Sequence, residues 1–88
     1  MPSYLVETYL ARGDAAERSA REARSRSAAE ELTHAGTRVR FDGVIHVPED
    51  EICFFVFGAA SGEEAVLVAQ RAALDAVRVV EAVTSRGE

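Results

Sequence analysis

His46, Cys53, Glu7, Arg40 and Asp42 have the widest chemical range of any side chains in this chain, and no motif states their use. An imidazole can ligate a metal or move a proton near neutral pH. A thiol is a soft ligand or a nucleophile, and a carboxylate is a hard ligand or a group that orients an imidazole. Two histidines and one cysteine leave no H-x-H, H-x3-H or paired-cysteine spacing. A metal site would therefore rest on His46 and Cys53, with Glu7 as an oxygen donor and a two-fold axis doubling the set. His46 is equally the candidate catalytic acid or base, with Glu7 or Asp42 orienting the ring. Each also has a plainer reading: a half-exposed strand histidine, and a thiol that acts as an inert small apolar group. His34, in the last turn of a helix, suits the free carbonyls there. Glu49-Asp50-Glu51 lacks EF-hand spacing and reads as a solvated turn. Gly58-Ala-Ala-Ser-Gly62 precedes a helix as an anion-binding loop does, without the P-loop lysine.

The elements that position these residues can be read from pattern. Tyr4–Leu10 is aromatic and β-branched, as in a strand, and Arg12-Gly13 breaks it. Asp14-Ala-Ala-Glu17 is a capping box that opens an alanine-rich helix running to Ala35, with Gly36 as its terminator. Ala16, Ala20, Ala23 and Ser27 form a stripe of small residues, continued by Leu32 and Ala35, that predicts close helix-to-sheet packing. Val39–Val47 alternates, with Val39, Phe41, Gly43, Ile45 and Val47 on one side and Arg40, Asp42, Val44 and His46 on the other. Pro48-Glu49-Asp50-Glu51 turns the chain into Ile52–Phe57, a strand apolar on both sides that Gly58 ends. Ser61-Gly-Glu-Glu64 caps a second helix with a buried stripe of Ala65, Val68, Ala69 and Ala72. Val77–Val83 is the last strand, and the tail 84–88 reads as frayed.

Strand–helix–strand–strand–helix–strand in 88 residues, with right-handed crossovers and a central hairpin, gives a single ferredoxin-like α+β domain. Its four-stranded antiparallel sheet has order 4-1-3-2 with both helices on one face. The other face is bare. Phe54 and Phe55 are adjacent, so one of them must point to it, and an apolar sheet face in water marks a contact site. The expectation is a homodimer packed sheet on sheet, as in a dimeric α+β barrel, or a pocket walled by that face.

A turn closed by Pro48 and Glu51 sets Ile45 opposite Phe54, His46 opposite Cys53, Val44 opposite Phe55 and Asp42 opposite Phe57. The side carrying Ile45 and Phe54 is the more apolar and is expected under the helices. The bare face then holds Arg40, Asp42, His46, Cys53 and Phe55, with Glu7 and Tyr9 beside them. Glu7, Tyr9, Arg40, Asp42 and Phe55 are accordingly the expected ligand-binding residues. The face of the last strand stays open, because Val77, Val79, Glu81 and Val83 share a side. Turned outward, Glu81 would approach Glu7, and two close carboxylates recruit a cation or raise one pKa.

Composition narrows the classes. The net charge is −5. Residues 1–40 carry seven Arg against six acids, and residues 41–88 three Arg against nine. Arg18, Arg21, Arg24 and Arg26 are interleaved with Glu17 and Glu22 at i,i+4, the spacing of a solvated helix face, so nucleic-acid binding is not expected. No h-region and no long apolar run is present, so the chain is expected in the cytoplasm without a membrane partner. An alanine-rich core is thin, which favours completion by association.

Three stretches, Tyr4-Leu-Val-Glu7, Val47-Pro-Glu-Asp-Glu-Ile-Cys-Phe54 and Val79-Val-Glu-Ala-Val83, together resemble a family of small bacterial domains of unknown function. Its members are ferredoxin-like and often dimeric, and some are described as nickel-binding. The resemblance implies a dimer and a divalent transition metal such as nickel as cofactor. No ligand can be matched residue by residue, and the nickel-associated members are richer in histidine. The family's Gly-Leu-Pro after the second helix is replaced by Ala73-Leu74-Asp75. The expected function is a small dimeric ligand- or metal-binding protein with its site at the bare face or dimer interface. The alternatives are a dimeric α+β barrel enzyme (a cofactor-free oxygenase, cyclase or isomerase acting on a small apolar substrate) and an interaction module without small-molecule chemistry.

Overall fold

The structure, a computed structural model, describes residues 1–83 and residue 85. In chain order the elements are β1 (Ser3–Tyr9), α1 (Ala15–His34), β2 (Val39–Val47), a 3-10 turn (Pro48–Asp50), β3 (Ile52–Ala59), α2 (Gly62–Arg71) and β4 (Arg78–Ala82). The sheet is antiparallel in order β2-β3-β1-β4, which is 4-1-3-2 read from the other edge, so the expected ferredoxin-like α+β fold is the one found. The expected tail, 84–88, lies outside the described residues apart from Ser85.

Helix ends follow from local chemistry. The Asp14 carboxylate accepts from the amide of Glu17 at 3.2 Å, but the Glu17 side chain turns along the helix to Arg21 at 2.7 Å. Only half of that capping box forms. At α2 the Ser61 hydroxyl accepts from the amide of Glu64, while the Glu64 carboxylate takes the amide of Ala60. α1 ends in a Schellman motif: Gly36 adopts φ +105°, and Thr37 and Gly36 donate to the carbonyls of Leu32 and Thr33.

α2 ends the same way without a glycine. Ala73 takes φ +55°, Ala73 and Leu74 donate to Gln70 and Ala69, and buried Leu74 makes the accompanying apolar contact. The left-handed cap thus falls on a residue that resists it. Arg24 supports the cap by donating to the carbonyls of Ala72 and Ala73 at 2.8 and 3.3 Å. Ala73→Gly is expected to stabilise the fold by roughly 1 kcal/mol, seen as a higher urea midpoint at unchanged slope. A lower midpoint would show the strain to be absent.

Two expectations fail on the face of α1. Ala16, Ala20, Ala23 and Ser27 are exposed; the residues buried against the sheet are Ser25, Ala28, Ala29 and Leu32. Leu32 is the helix's single large apolar residue, and burial runs back from it at helical spacing through Ser25 to half-buried Arg21, Glu22 and Arg18. The arginine-bearing face read as solvated is thus partly turned inward. α2 buries Ala65, Val68, Ala69 and Ala72 as expected.

Register and face part company in the sheet. Ile45–Phe54, His46–Cys53 and Val44–Phe55 pair as expected. Asp42 does not meet Phe57, because a β-bulge between Phe41 and Gly43 makes Phe41 the partner of Phe57. Gly43, at φ +134°, absorbs the irregularity, and the extra residue reverses the alternation for the rest of β2. Val39 and Phe41 face the helices before the bulge, and Val44 and His46 after it. β3 also runs on through Gly58 to Ala59.

Candidate functional site

The expected face assignment is inverted for five residues. Phe55 and Cys53 are fully buried beneath the helices, and His46, paired with Cys53, shares their side. The bare face carries Ile45 and Phe54 instead. The physical reason is volume: a helix that presents Ser25, Ala28 and Ala29 leaves room beneath it for aromatic rings. Phe41 lies 6.5 Å from Phe55 and 5.4 Å from Phe57, centroid to centroid. Phe55 is therefore a core residue and lines no ligand site. Glu7, Tyr9 and Arg40 lie on the bare face as expected, with Asp42 bound to Arg40 at its margin.

Beneath the N-terminal half of α1 lies a polar seam that the sequence reading missed. Buried Thr8 donates to the Cys53 carbonyl at 2.8 Å. The Arg21 guanidinium donates to the Thr8 hydroxyl and the Tyr9 carbonyl at 3.2 and 2.8 Å, and its ion pair holds the Glu17 carboxyl below the usual range. Arg18 Nη1 lies 3.3 Å from His46 Nδ1. A guanidinium only donates, so Nδ1 accepts and the ring proton sits on Nε2. His46 is therefore held by Arg18 and directed away from Glu7 and Asp42. The signal for this seam was the spacing of Arg18, Arg21, Glu22 and Ser25 counted back from Leu32.

Cys53 sits in the seam as an inert group. Burial pushes its thiol pKa up, against the pull of Arg21 and Arg18 and together with Glu22. The folded chain is expected to resist iodoacetamide at pH 8, alkylation proceeding only through opening and at least roughly a hundredfold slower than in urea-unfolded chain. Equal rates would place the thiol in reach of solvent. His46 and Cys53 face each other across two strands, yet among the described residues no three His, Cys, Asp or Glu side chains converge to hold a metal ion.

The bare face is ordered in rows across the strands. One runs Arg78, Glu7, Phe54, Ile45 and the next Val80, Leu5, Val56, Gly43; Tyr9, Ile52 and Val47 close one end. Arg78 donates to Glu7 at 2.8 Å, in place of the Glu7–Glu81 contact held open above. Glu81 pairs with Tyr4, and Val79 packs on the core, so within β4 this side faces the helices, while Val77 and Val83 lie beyond the strand and are exposed. At the opposite rim Arg40 makes two hydrogen bonds to Asp42, which raises its pKa further. Its guanidinium lies over Gly58, where an added Cβ would come within 3.0 Å of it. The centre is apolar and both rims are charge-balanced.

Two grooves flank the sheet, each between a helix and an edge strand. One of about 680 Å3 lies between α2 and β4, lined by Val66, Leu74, Asp75 and Val79 among others. The other, about 340 Å3, lies between α1 and β2 with Phe41 and Val39 at the strand and Arg26 and His34 on the helix.

Comparison with known proteins supports the architecture. No protein-family model matches the chain, and no curated protein matches it. Its fold resembles the crystal structure of SCO4226 from Streptomyces coelicolor A3(2), with a TM-score of 0.70 at 17% identity over 96% of this chain and 99% of that one. At that identity the likeness speaks for the fold. No helix among the described residues is long and apolar enough to cross a membrane.

Proposed function

We propose that this chain is a small homodimeric binding protein whose two copies pack bare face to bare face. The observation that carries the reading is the uncovered row structure of Leu5, Phe54, Val56, Ile45 and Val80, with Ile45 51% exposed. A contiguous apolar face of this kind is stabilised by cover. The molecule measures 36 × 35 × 20 Å, which leaves room for the roughly 800 Å2 per partner of a standard interface. A second copy suits the rims. Each rim holds one cation and one anion, Arg78 with Glu7 and Arg40 with Asp42, so a two-fold partner meets no excess of either sign.

Small ligands in this reading lie where the interface ends, against Tyr9 and the Glu7–Arg78 pair. A divalent metal such as nickel would need donors from both copies, because no three converge among the described residues of one chain. The enzyme reading lacks a comparable observation, since both grooves described above lie at the helix-covered edges of the sheet. Sedimentation velocity from about 1 μM to about 1 mM tests the reading, with a dimer expected through the upper range. A monomer at every concentration would overturn it.

A further inference from the structure

Arg26 is an anomaly among the arginines of α1. Arg18 contacts His46 and Glu22, Arg21 holds Glu17, Thr8 and Tyr9, and Arg24 caps α2. Arg26 makes no ion pair among the described residues; its guanidinium sits 5.4 Å from the centroid of the Phe41 ring. That contact lines the α1–β2 groove of about 340 Å3. Its other permanent cation, Arg40, is committed to Asp42 over Gly58. Among the described residues Glu30 is the groove's one carboxylate, and it makes no salt bridge to Arg26 although the two are four residues apart.

The geometry points to a binding site for a small planar aromatic carboxylate in this groove. Three features set that chemistry. The guanidinium of Arg26 offers a fork of donors that matches a carboxylate and is not already filled by one. Phe41 and Val39 supply an apolar wall for a ring, and the volume lies in the range of small-ligand pockets. β2 is an edge strand, so outward backbone groups line the same wall. Thr33 satisfies those of Val39, accepting from its amide at 3.2 Å and donating to its carbonyl at 2.9 Å, which fixes the strand against the helix at one end of the groove. Glu30 makes the site selective, since it disfavours a dianion more than a monoanion. The site lies away from the bare face and does not depend on self-association.

The probe is 2-naphthoate, titrated into isotopically labelled full chain at low salt, with 2-naphthylmethanol as the neutral comparison. Saturable shifts are expected at Phe41, Thr33 and the Arg26 Nε–H, with the alcohol binding about tenfold more weakly. Arg26→Gln is expected to weaken the naphthoate by about tenfold and to leave the alcohol unchanged, and Arg26→Lys to restore part of the loss. Arg26 is exposed, so these variants keep the fold. Ile45→Asp, which targets the dimer alone, is expected to bind naphthoate as the wild type does. No saturable binding, equal binding of acid and alcohol, an unchanged affinity in Arg26→Gln, or shifts confined to the α2–β4 groove would each overturn the assignment.

Discussion

Ile45→Asp is expected to convert the chain from dimer to monomer without loss of fold. Ile45 is 51% exposed in the single copy, so a carboxylate there remains hydrated while the chain is alone. Against a second apolar sheet the same carboxylate is stripped of water beside Phe54, its cross-strand neighbour. Burying an unpaired polar or charged group costs about 2 kcal/mol or more. A two-fold dimer carries the change twice, so ~4 kcal/mol, roughly a thousandfold in dissociation constant, is the expected loss. Sedimentation reads the mass, and far-UV circular dichroism the intact fold. A variant as dimeric as the wild type would place the interface elsewhere, with the edge strands β2 and β4 the next surfaces to test.

The connectivity was legible because turn and cap signals are local. Pro48 through Glu51, Ser61 with Glu64, and Gly36 each act within a few residues, and each stands where the pattern put it. Register followed from the turn. Face did not, for two physical reasons. β3 is apolar at every position from Ile52 to Phe57, so alternation carries no information there, and the decision falls on how much volume the covering helix leaves. The bulge at Asp42 then breaks parity inside β2, and one extra residue moves His46 from the side of Arg40 to the side of Phe41.

α1 misled through abundance. Alanine occurs on several sides of the helix, so a stripe of small residues can be drawn along more than one of them. Leu32 was the better guide: one large apolar side chain outweighs several methyl groups in buried area. Counting back from it exposes the cost of the arrangement, since the seam must accommodate Arg18 and Arg21. Their partners, Thr8, His46 and backbone carbonyls, come from strands more than ten residues away and could not be paired without the fold. The candidate site changed accordingly: Glu7, Tyr9, Arg40 and Asp42 keep their side, while Phe55, Cys53 and His46 become structural.

That division predicts opposite behaviour from adjacent phenylalanines. Phe55 is fully buried with its ring stacked on Phe41, and its truncation to alanine leaves a cavity under α1. The expected loss is about 3–5 kcal/mol, a large share of the ~5–15 kcal/mol that holds a domain of this size. Each kcal/mol lowers the melting temperature of a small domain by roughly 4–8 °C, so Phe55→Ala is expected to unfold at least about 12 °C below the wild type. Phe54→Ala removes a ring that is partly solvated in the single copy, and about 1 kcal/mol is expected. Both are best compared in the Ile45→Asp background, because a dimer would add its own association energy to the apparent stability and inflate the Phe54 effect. In the proposed wild-type dimer the gap should narrow, since Phe54 then contributes through the partner. A larger loss from Phe54→Ala than from Phe55→Ala in the monomer would return Phe54 to the core and put Phe55 back among the ligand-facing residues.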